Sequence, residues 1–228
     1  MNIYAFICTR SKTLTETSKR LSAYLSRANI STKFLVNQKS IFDGYSEAFK
    51  RFDVQDNDIV ILCHDDIEIL TDTMELKDIL ITHCLKYDSG FAGVAGTTYL
   101  SKDAIWWNQE VWKQGKHKGF VYHGKDKFNC ESTFYGSCGR VVILDGLFLA
   151  ASGKALKTIG LDKPSYLDGG WDYYDIHYTI TAHKKGLKNQ VVPIQLIHNS
   201  LGELAGRDSW HKNREAFINQ HQLPISVG

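Results

Sequence analysis

The chain has 228 residues, of which 43% are hydrophobic and 23% are charged, close to the averages of soluble globular proteins. This balance excludes the disordered and collagen-like classes, and the length favours one domain with a core of its own. The formal net charge of only +2 argues against the concentrated basic face that nucleic-acid binding requires, although a small anionic substrate remains compatible with it.

The first part of the chain alternates short apolar runs with amphipathic segments. Ile3–Cys8, Thr32–Val36 and the run that ends at His64 are predicted strands, while Thr13–Arg27 and Ile41–Phe52 carry apolar residues at helical spacing. Strand and helix units of this length and order predict an α/β fold. Its central sheet is expected to be mostly parallel, flanked by helices, with right-handed crossovers.

The pattern continues to Gly96 and then changes. Thr73–Tyr87 is predicted as a helix, and Phe91–Gly96 as a buried strand closed by glycine. Between Thr97 and Arg140 the periodicity is lost, and glycines, tryptophans and mixed charges follow one another. We predict that this stretch covers a site rather than building the core.

Regular structure returns after Arg140, where apolar runs and helix-end signals predict the remaining elements. They are a strand at Val141–Leu144, an apolar run at Leu147–Ala151, a helix capped by Ser152 and ending near Ile159, a helix at Asp172–Lys185 with Gly186 as its C-terminal cap, a strand at Val191–Ile197 and a helix at Asn213–Gln220. The sequence shows no internal repeat and no linker.

Two of the predicted strands end in residues that bind metals. The apolar run from Asp58 leads into His64, Asp65 and Asp66, and the run ending at Ile197 is followed by His198. An open α/β sheet binds its ligands where strands end, so these side chains are placed to hold a metal ion. The competing interpretation is structural: the acidic residues cap the next element, and His198 bonds a loop carbonyl.

Landmarks along the chain carry a family resemblance. They are Cys8-Thr9-Arg10, Ile41–Phe49, the triplet His64-Asp65-Asp66, Asp145–Leu149, the segment Tyr174–Thr179 leading to Gly186, and Ile197–Gly202. With them the chain resembles GT-A fold glycosyltransferases of the family 2 type, which use nucleotide sugars. The resemblance covers Ile3 to about His221. It implies one Rossmann-like GT-A domain over 1–228, with a nucleotide-binding half at 1–96 and an acceptor and catalytic half at 97–228.

The resemblance also implies a metal site. In the family, an Asp-any-Asp motif binds a divalent ion that bridges the donor diphosphate, and His64 replaces the first aspartate here. Asp66, His198 and His64 are therefore the expected ligands, with manganese or magnesium as the ion. The expected reaction moves a sugar from a nucleoside diphosphate, favouring UDP, to a carbohydrate acceptor.

Further site residues follow from the resemblance. Asp175 aligns with the base of an inverting transferase, with Asp172 as competitor, while Tyr174 stands where the family often has glutamate. The donor-binding residues expected are Thr9, Arg10, Asp43, Asp65, Asp145 and Gly146. Aromatic platforms for an acceptor are expected from Trp106, Trp107 and Trp171. Helix starts, a simple turn and core packing are the alternative explanations for these residues.

Location and competing functions complete the expectations. Five cysteines without a CxxC pair indicate a reducing compartment, and the chain shows neither a signal-peptide pattern nor a membrane-spanning run, so a cytoplasmic protein is predicted. Two other functions remain open. One is a sugar nucleotidyltransferase, although Thr9–Thr13 lacks the usual glycines; the other is a degenerate sugar- or nucleotide-binding module.

Overall fold

A computed structural model describes residues 1–200 and 207–227, so the end of the landmark Ile197–Gly202 lies outside the described residues. The helices are α1 (Glu16–Arg27), α2 (Ile41–Arg51), α3 (Thr73–Cys84), α4 (Gln109–Lys113), α5 (Gly153–Ile159), α6 (Tyr174–Lys184) and α7 (Asp208–Gln220). The strands are β1 (Ile3–Cys8), β2 (Ser31–Leu35), β3 (Ile59–Cys63), β4 (Ile67–Ile69), β5 (Ser89–Gly93), β6 (Ala95–Thr97), β7 (Tyr99–Leu100), β8 (His117–Asp126), β9 (Asn129–Gly136), β10 (Gly139–Val141), β11 (Ile143–Leu144), β12 (Phe148–Ser152), β13 (Lys188–Val191), β14 (Leu196–His198) and β15 (Ile225–Ser226).

Helix starts follow local side-chain chemistry. Thr15 caps α1 by accepting a hydrogen bond from the Ser18 amide, and Ser40 caps α2 through the Asp43 amide. Ser152 caps α5 as predicted, and Gly186 follows α6 with a positive φ of 82°. These caps explain why α1, α2 and α5 begin, and why α6 ends, close to the positions expected from the sequence.

The larger sheet has seven strands in the order β10-β13-β5-β12-β3-β1-β2. β1 lies parallel to β2 and β3, and β13 lies parallel to β5. β12 is inserted between β3 and β5 and runs antiparallel to both, which makes the sheet mixed. The strands β3, β5 and β12 are buried along their whole length, so this sheet forms the centre of the core.

A second sheet lies beside the first and has the order β11-β6-β8-β14-β4, with β9 paired to β8 in a long hairpin. β14 joins β4 antiparallel and β8 parallel, so residues from three distant parts of the chain meet there. A third, two-stranded sheet pairs β15 with β7.

The predicted strand at Val191–Ile197 is two strands. Val191 ends β13 in the larger sheet, and Leu196 begins β14 in the second sheet. Pro193 lies between them and has no N–H to donate to a ladder, so a strand cannot continue through this point in a sheet interior. The break carries the chain from one sheet to the other and delivers His198 to its end.

The prediction that residues 97–140 only cover a site is wrong in part. They form α4 and the β8–β9 hairpin, and Trp106 and Val121 belong to the core. The sequence pattern did not predict the hairpin, because the buried face of β8 carries His117 and Gly119, while Phe120 points to the other, partly exposed face. Alternation of apolar and polar residues was therefore absent, although the backbone alternates normally.

The helix predicted from Asp172 begins two residues later, at Tyr174. Tyr173 has a left-handed backbone with φ of 65°, which costs a non-glycine residue free energy and interrupts the helix. Its ring packs against Trp210 and Phe217, and its hydroxyl donates to the Ala104 carbonyl at 3.1 Å, so tertiary contacts hold this conformation. The final helix begins at Asp208 rather than Asn213. None of the described helices is both long and apolar enough to cross a membrane.

Candidate active site

Strand ends bring three candidate metal ligands together. His64 follows β3 directly, Asp66 precedes β4, and His198 is the last residue of β14. β4 and β14 are antiparallel neighbours with His198 opposite Ile67, so Asp66 and His198 lie side by side. The Asn199 amide donates to the Asp66 carbonyl oxygen at 2.8 Å and holds the two segments in this arrangement.

The ligand atoms of these three residues share one small volume. One atom from each of His64, Asp66 and His198 lies within 4.8 Å of the other two. His198 Nε2 is 3.4 Å from Asp66 Oδ2, and His64 Nδ1 is 3.8 Å from Asp66 Oδ1. Across residues 1–200 and 207–227, this is the one cluster of metal-type ligands. The structure thus brings together the three residues that the sequence placed in a metal site.

Electrostatics favour a carboxylate beside a neutral imidazole. Burial alone would raise the pKa of Asp66, but the hydrogen bond from His198 and the two nearby imidazoles outweigh burial and lower that pKa. Burial lowers the pKa of His64 despite the adjacent Asp66 carboxylate. At neutral pH the cluster therefore offers a negative oxygen ligand and an imidazole with a free lone pair.

The donor set fits a divalent cation. Asp66 Oδ1 is buried and has no hydrogen-bond partner among the described residues, which is costly for a charged oxygen. A cation would supply the missing partner. One carboxylate and two imidazoles suit manganese better than magnesium, which prefers oxygen ligands, and three protein ligands leave further positions for a substrate.

A second acidic group surrounds Gly146. Asp175 lies in the first turn of α6, and its Oδ2 accepts a hydrogen bond from the Gly146 N–H at 2.9 Å. Asp145 accepts from the Leu147 amide at 2.9 Å. Burial and the charge of Asp145 raise the pKa of Asp175 to about 7. A carboxyl group with this pKa changes its protonation near neutral pH, as a general base requires.

Tyr174 connects the two groups. Its buried hydroxyl donates to the Gly146 carbonyl oxygen at 3.0 Å and lies 2.9 Å from His64 Nε2. Since Tyr174 and Asp175 are consecutive in α6, the first turn of this helix contacts both His64 and Gly146. The candidate metal ligands and the candidate base are therefore linked through Tyr174 and Gly146.

Gly146 is required by this close approach. A Cβ atom there would lie 2.1 Å from the Tyr174 hydroxyl oxygen and 2.9 Å from Asp175 Cβ. We expect Gly146→Ala to destabilise the fold by about 1–3 kcal/mol, as overpacking does, and to reduce turnover. Urea unfolding and an activity assay measure both effects. Gly170→Ala is the matched control, because its Cβ would meet Asp168 Oδ1 only at 3.5 Å. Equal stability of the two variants would contradict the prediction.

Asp172 lies outside α6 and has a different environment. Its side chain is buried, and its Oδ2 accepts a hydrogen bond from Ser209 Oγ at 2.7 Å, which ties α7 to this loop. Its Oδ1 has no hydrogen-bond partner in the described part of the chain. The hydrogen bond with Ser209 anchors Asp172 to α7. Asp175 instead accepts from the Gly146 amide, and the carbonyl oxygen of Gly146 accepts from Tyr174 beside the candidate metal ligands.

The loop after β1 holds two of the expected donor-binding residues. Thr9 is buried, and its Oγ1 accepts a hydrogen bond from the Ser11 amide at 3.1 Å, so it shapes the loop. Arg10 is exposed, and its guanidinium lies 4.6 Å from the centre of the Trp171 ring. Although the side chain reaches solvent, nearby protein atoms partly desolvate the guanidinium, and this effect together with the positive charge of Arg207 lowers the pKa of Arg10. Arg10 and Trp171 thus present a cationic and aromatic surface together.

Two other expected donor residues lie near this loop or at a helix start. Asp65 is partly buried between His64 and Asp66, and its carbonyl oxygen accepts from Ser18 Oγ at 3.1 Å. Asp43 is exposed in the first turn of α2, where its amide donates to the capping Ser40. A helix start is sufficient to explain this position of Asp43.

Comparison with known families decides the class of protein. Residues 11–221 match the family model described as "Glycosyltransferase like family". The chain belongs to this glycosyltransferase-like family. A search among curated proteins finds no match to the chain.

Solved structures support the same fold for this glycosyltransferase-like chain. A197 from STIV matches with 12% identity and a TM-score of 0.54, covering 88% of this chain and 86% of A197. GalNAc-T7, solved with UDP, GalNAc and Mn²⁺, matches with 11% identity and a TM-score of 0.56, covering 94% of this chain and 47% of GalNAc-T7. At these identities the likeness shows the fold, and the GT-A fold expected from the sequence is confirmed.

The tryptophans expected to form acceptor platforms differ in exposure. Trp106 is 3% exposed and packs edge-on against Trp107 and against Tyr135, so its ring has no open face. Trp107 is partly buried and contacts Trp210 of α7. Trp171 keeps a partly open ring beside Arg10. In this glycosyltransferase-like chain, Trp107 and Trp171 are better placed for an acceptor or donor than Trp106.

Sequence reasoning missed His123. It lies on β8 opposite His198 of β14, and the two imidazole rings are 5.8 Å apart between centroids. Burial lowers the pKa of His123, and the neighbouring His198 imidazole further disfavours its protonated form. The signal that would have found it is the strand β8 itself, whose buried face includes His117, Gly119 and Val121 and leads to this imidazole.

Proposed function

We propose that this protein is a metal-dependent glycosyltransferase that moves a sugar from a nucleoside diphosphate, with UDP favoured, to a carbohydrate acceptor with inversion. One observation carries the proposal. Ligand atoms of His64, Asp66 and His198 lie close together, and Tyr174 connects His64 to the Gly146 loop. The same loop contacts Asp175, whose pKa is raised to about 7.

The metal part of the proposal concerns a divalent ion, with manganese favoured. Its ligands would be Asp66, His198 and, through Nδ1, His64. When bound, such an ion neutralises the negative charge that develops on a departing diphosphate, without proton transfer. The solved GalNAc-T7 structure, which has this fold and contains UDP and Mn²⁺, supports the class of donor and ion.

Asp175 is proposed as the general base. In a single displacement the acceptor oxygen forms a bond to the anomeric carbon of the sugar, while the bond from that carbon to the diphosphate oxygen breaks and its electron pair leaves with the diphosphate. The acceptor hydroxyl proton goes to the Asp175 carboxylate. A base with a pKa of about 7 is both deprotonated and basic enough at neutral pH for this transfer.

The remaining residues are proposed to orient the two substrates. Asp145, beside Gly146, accepts hydrogen bonds from hydroxyl groups of the donor sugar. Arg10 supplies planar donors and a positive charge near the diphosphate or base, with Trp171 below it. Asp65, Thr9 and Asp43 remain proposed donor contacts. Trp107 and Trp171 are the proposed acceptor platforms, since a ring offers apolar area and tolerates polar edges.

A panel of UDP, GDP and dTDP sugars, assayed with Mn²⁺, tests the proposal. We expect release of nucleoside diphosphate from one donor class and a faster release when the right acceptor is present. Release of pyrophosphate from a sugar phosphate and a nucleoside triphosphate would instead identify a nucleotidyltransferase. Binding of a nucleotide sugar without any turnover across the panel and across acceptors would identify a binding module. Either of these two results would overturn the proposal.

A further inference from the structure

Metal binding by His64 depends on which of its ring nitrogens carries a hydrogen. A neutral imidazole has one N–H and one lone pair, and only the lone pair can bind a metal. His64 Nδ1 faces Asp66 Oδ1 at 3.8 Å, whereas its Nε2 faces the Tyr174 hydroxyl at 2.9 Å. The group that meets Nε2 therefore decides whether Nδ1 is available.

The hydroxyl of Tyr174 has a single proton, and its surroundings fix where that proton points. The Gly146 carbonyl oxygen, 3.0 Å away, is an acceptor only, so the hydroxyl donates to it. The hydroxyl oxygen is then left as an acceptor toward His64 Nε2, 2.9 Å away. Nε2 must carry the hydrogen, and Nδ1 keeps its lone pair on the side of Asp66.

This arrangement explains the orphaned carboxylate oxygen. With Nδ1 unprotonated, no hydrogen stands between His64 and Asp66 Oδ1, and this is the Asp66 carboxylate oxygen that lacks a hydrogen-bond partner among the described residues. Two electron-rich atoms face each other across 3.8 Å, which is a place for a cation rather than for a hydrogen bond. Packing fixes the tyrosine itself, because its ring lies between those of Tyr45 and Tyr178.

We propose that Tyr174 is a positioning residue that locks His64 in the Nε2–H form, so that Nδ1 binds the divalent ion. The inference rests on the proposed metal site. A histidine ligand needs a partner for its second ring nitrogen, because that partner fixes the tautomer and the orientation of the ring.

The test compares Tyr174→Phe with wild type by calorimetric titration of Mn²⁺, with and without UDP. The variant keeps the ring and removes only the hydroxyl. We expect its affinity for Mn²⁺ to fall by about 10- to 100-fold, the usual cost of losing an outer-shell partner. Tyr178→Phe is the matched control: Tyr178 lies on the same helix and is also buried, but its hydroxyl donates to the Leu161 carbonyl at 2.8 Å instead of meeting His64. Its affinity should be unchanged.

Two further measurements separate positioning from a structural role. In the His64→Ala background, Tyr174→Phe should cause no additional loss of affinity, because the tyrosine acts through that histidine. In metal-free protein, ¹⁵N shifts of the His64 ring should report the Nε2–H form in wild type and a mixture in Tyr174→Phe. This second measurement needs no metal and no activity.

The outcomes are distinguishable. Wild type that binds no Mn²⁺ overturns both the metal site and this inference. Wild type that binds Mn²⁺, with Tyr174→Phe binding it equally well, overturns only the role of Tyr174. A loss of affinity that persists undiminished in the His64→Ala background, or an equal loss in Tyr178→Phe, also overturns it, because both results would indicate a general loss of structure.

Discussion

Asp66→Ala should abolish Mn²⁺ binding and transfer together. The substitution removes the carboxylate that lies 3.4 Å from His198 Nε2 and 3.8 Å from His64 Nδ1, so both imidazoles lose the anionic ligand between them. We expect the affinity for Mn²⁺ to fall by more than about 100-fold, beyond the about 10- to 100-fold that loss of an outer-shell partner costs. Titration calorimetry in the presence of UDP measures it, alongside turnover.

Asp56→Ala is the control for loss of one negative charge. Asp56 is exposed and its ion pair with Lys157 lies on the surface, so the variant should bind Mn²⁺ as wild type does. Asp66→Ala should also keep its fold, because the backbone hydrogen bond from Asn199 to the carbonyl oxygen of residue 66 does not depend on the side chain. Identical manganese affinity for wild type and Asp66→Ala would remove Asp66 from the site and, with it, the geometric basis of the proposed reaction.

The candidate metal ligands could be proposed from the sequence because their signal is local. His64 and His198 each follow an apolar strand directly, and the ends of strands in such sheets bind ligands. Their proximity could not be derived from periodicity. It depends on the break at Pro193, which moves the chain to the second sheet and sets His198 opposite Ile67. The family resemblance led us to expect that His198 lies near His64 and Asp66, and the structure gives the distances between them.

Residues that act through tertiary contact were harder to predict. Tyr174 appeared only as a departure from a family pattern, because nothing in the sequence shows that its hydroxyl reaches His64 across 110 positions. His123 was hidden in a hairpin whose buried face carries glycine and histidine instead of apolar residues. The helix start at Asp172 was misplaced because the left-handed Tyr173 is stabilised by α7, which is distant in sequence.

Asp175 and Asp172 illustrate the same limit for the candidate base. Both carboxylates lie near the start of one predicted helix, where a helix N-terminus would stabilise either. The structure separates their surroundings, because Asp172 is bonded to Ser209 of α7 and Asp175 to the Gly146 amide. The pKa of Asp175 is raised to about 7, because burial and the charge of Asp145 both disfavour its charged form. Environment, rather than sequence position, therefore distinguishes the two.

Asp175→Asn should stop transfer and leave binding intact. Asparagine has the same shape and its side-chain oxygen still accepts from the Gly146 amide, but it takes no proton from an acceptor hydroxyl. Loss of a general base costs about 10²- to 10⁴-fold in rate, so we expect a fall in kcat within that range. The affinities for UDP and Mn²⁺, measured by calorimetry, should match those of wild type, since Asp175 is not among the three clustered ligands.

The pH dependence gives a second, independent readout of the same residue. Because the base acts when deprotonated, wild-type kcat/KM should rise with pH up to a pKa of about 7 and level off above it. A bound cation nearby favours the carboxylate and moves this limb toward lower pH. In Asp175→Asn the limb should disappear, whereas Asp172→Asn should keep it even if the loss of the Ser209 contact slows the enzyme. A normal rate in Asp175→Asn would contradict the role of Asp175 as base. If Asp175→Asn kept the pH-dependent limb and Asp172→Asn lost it, the base would be Asp172.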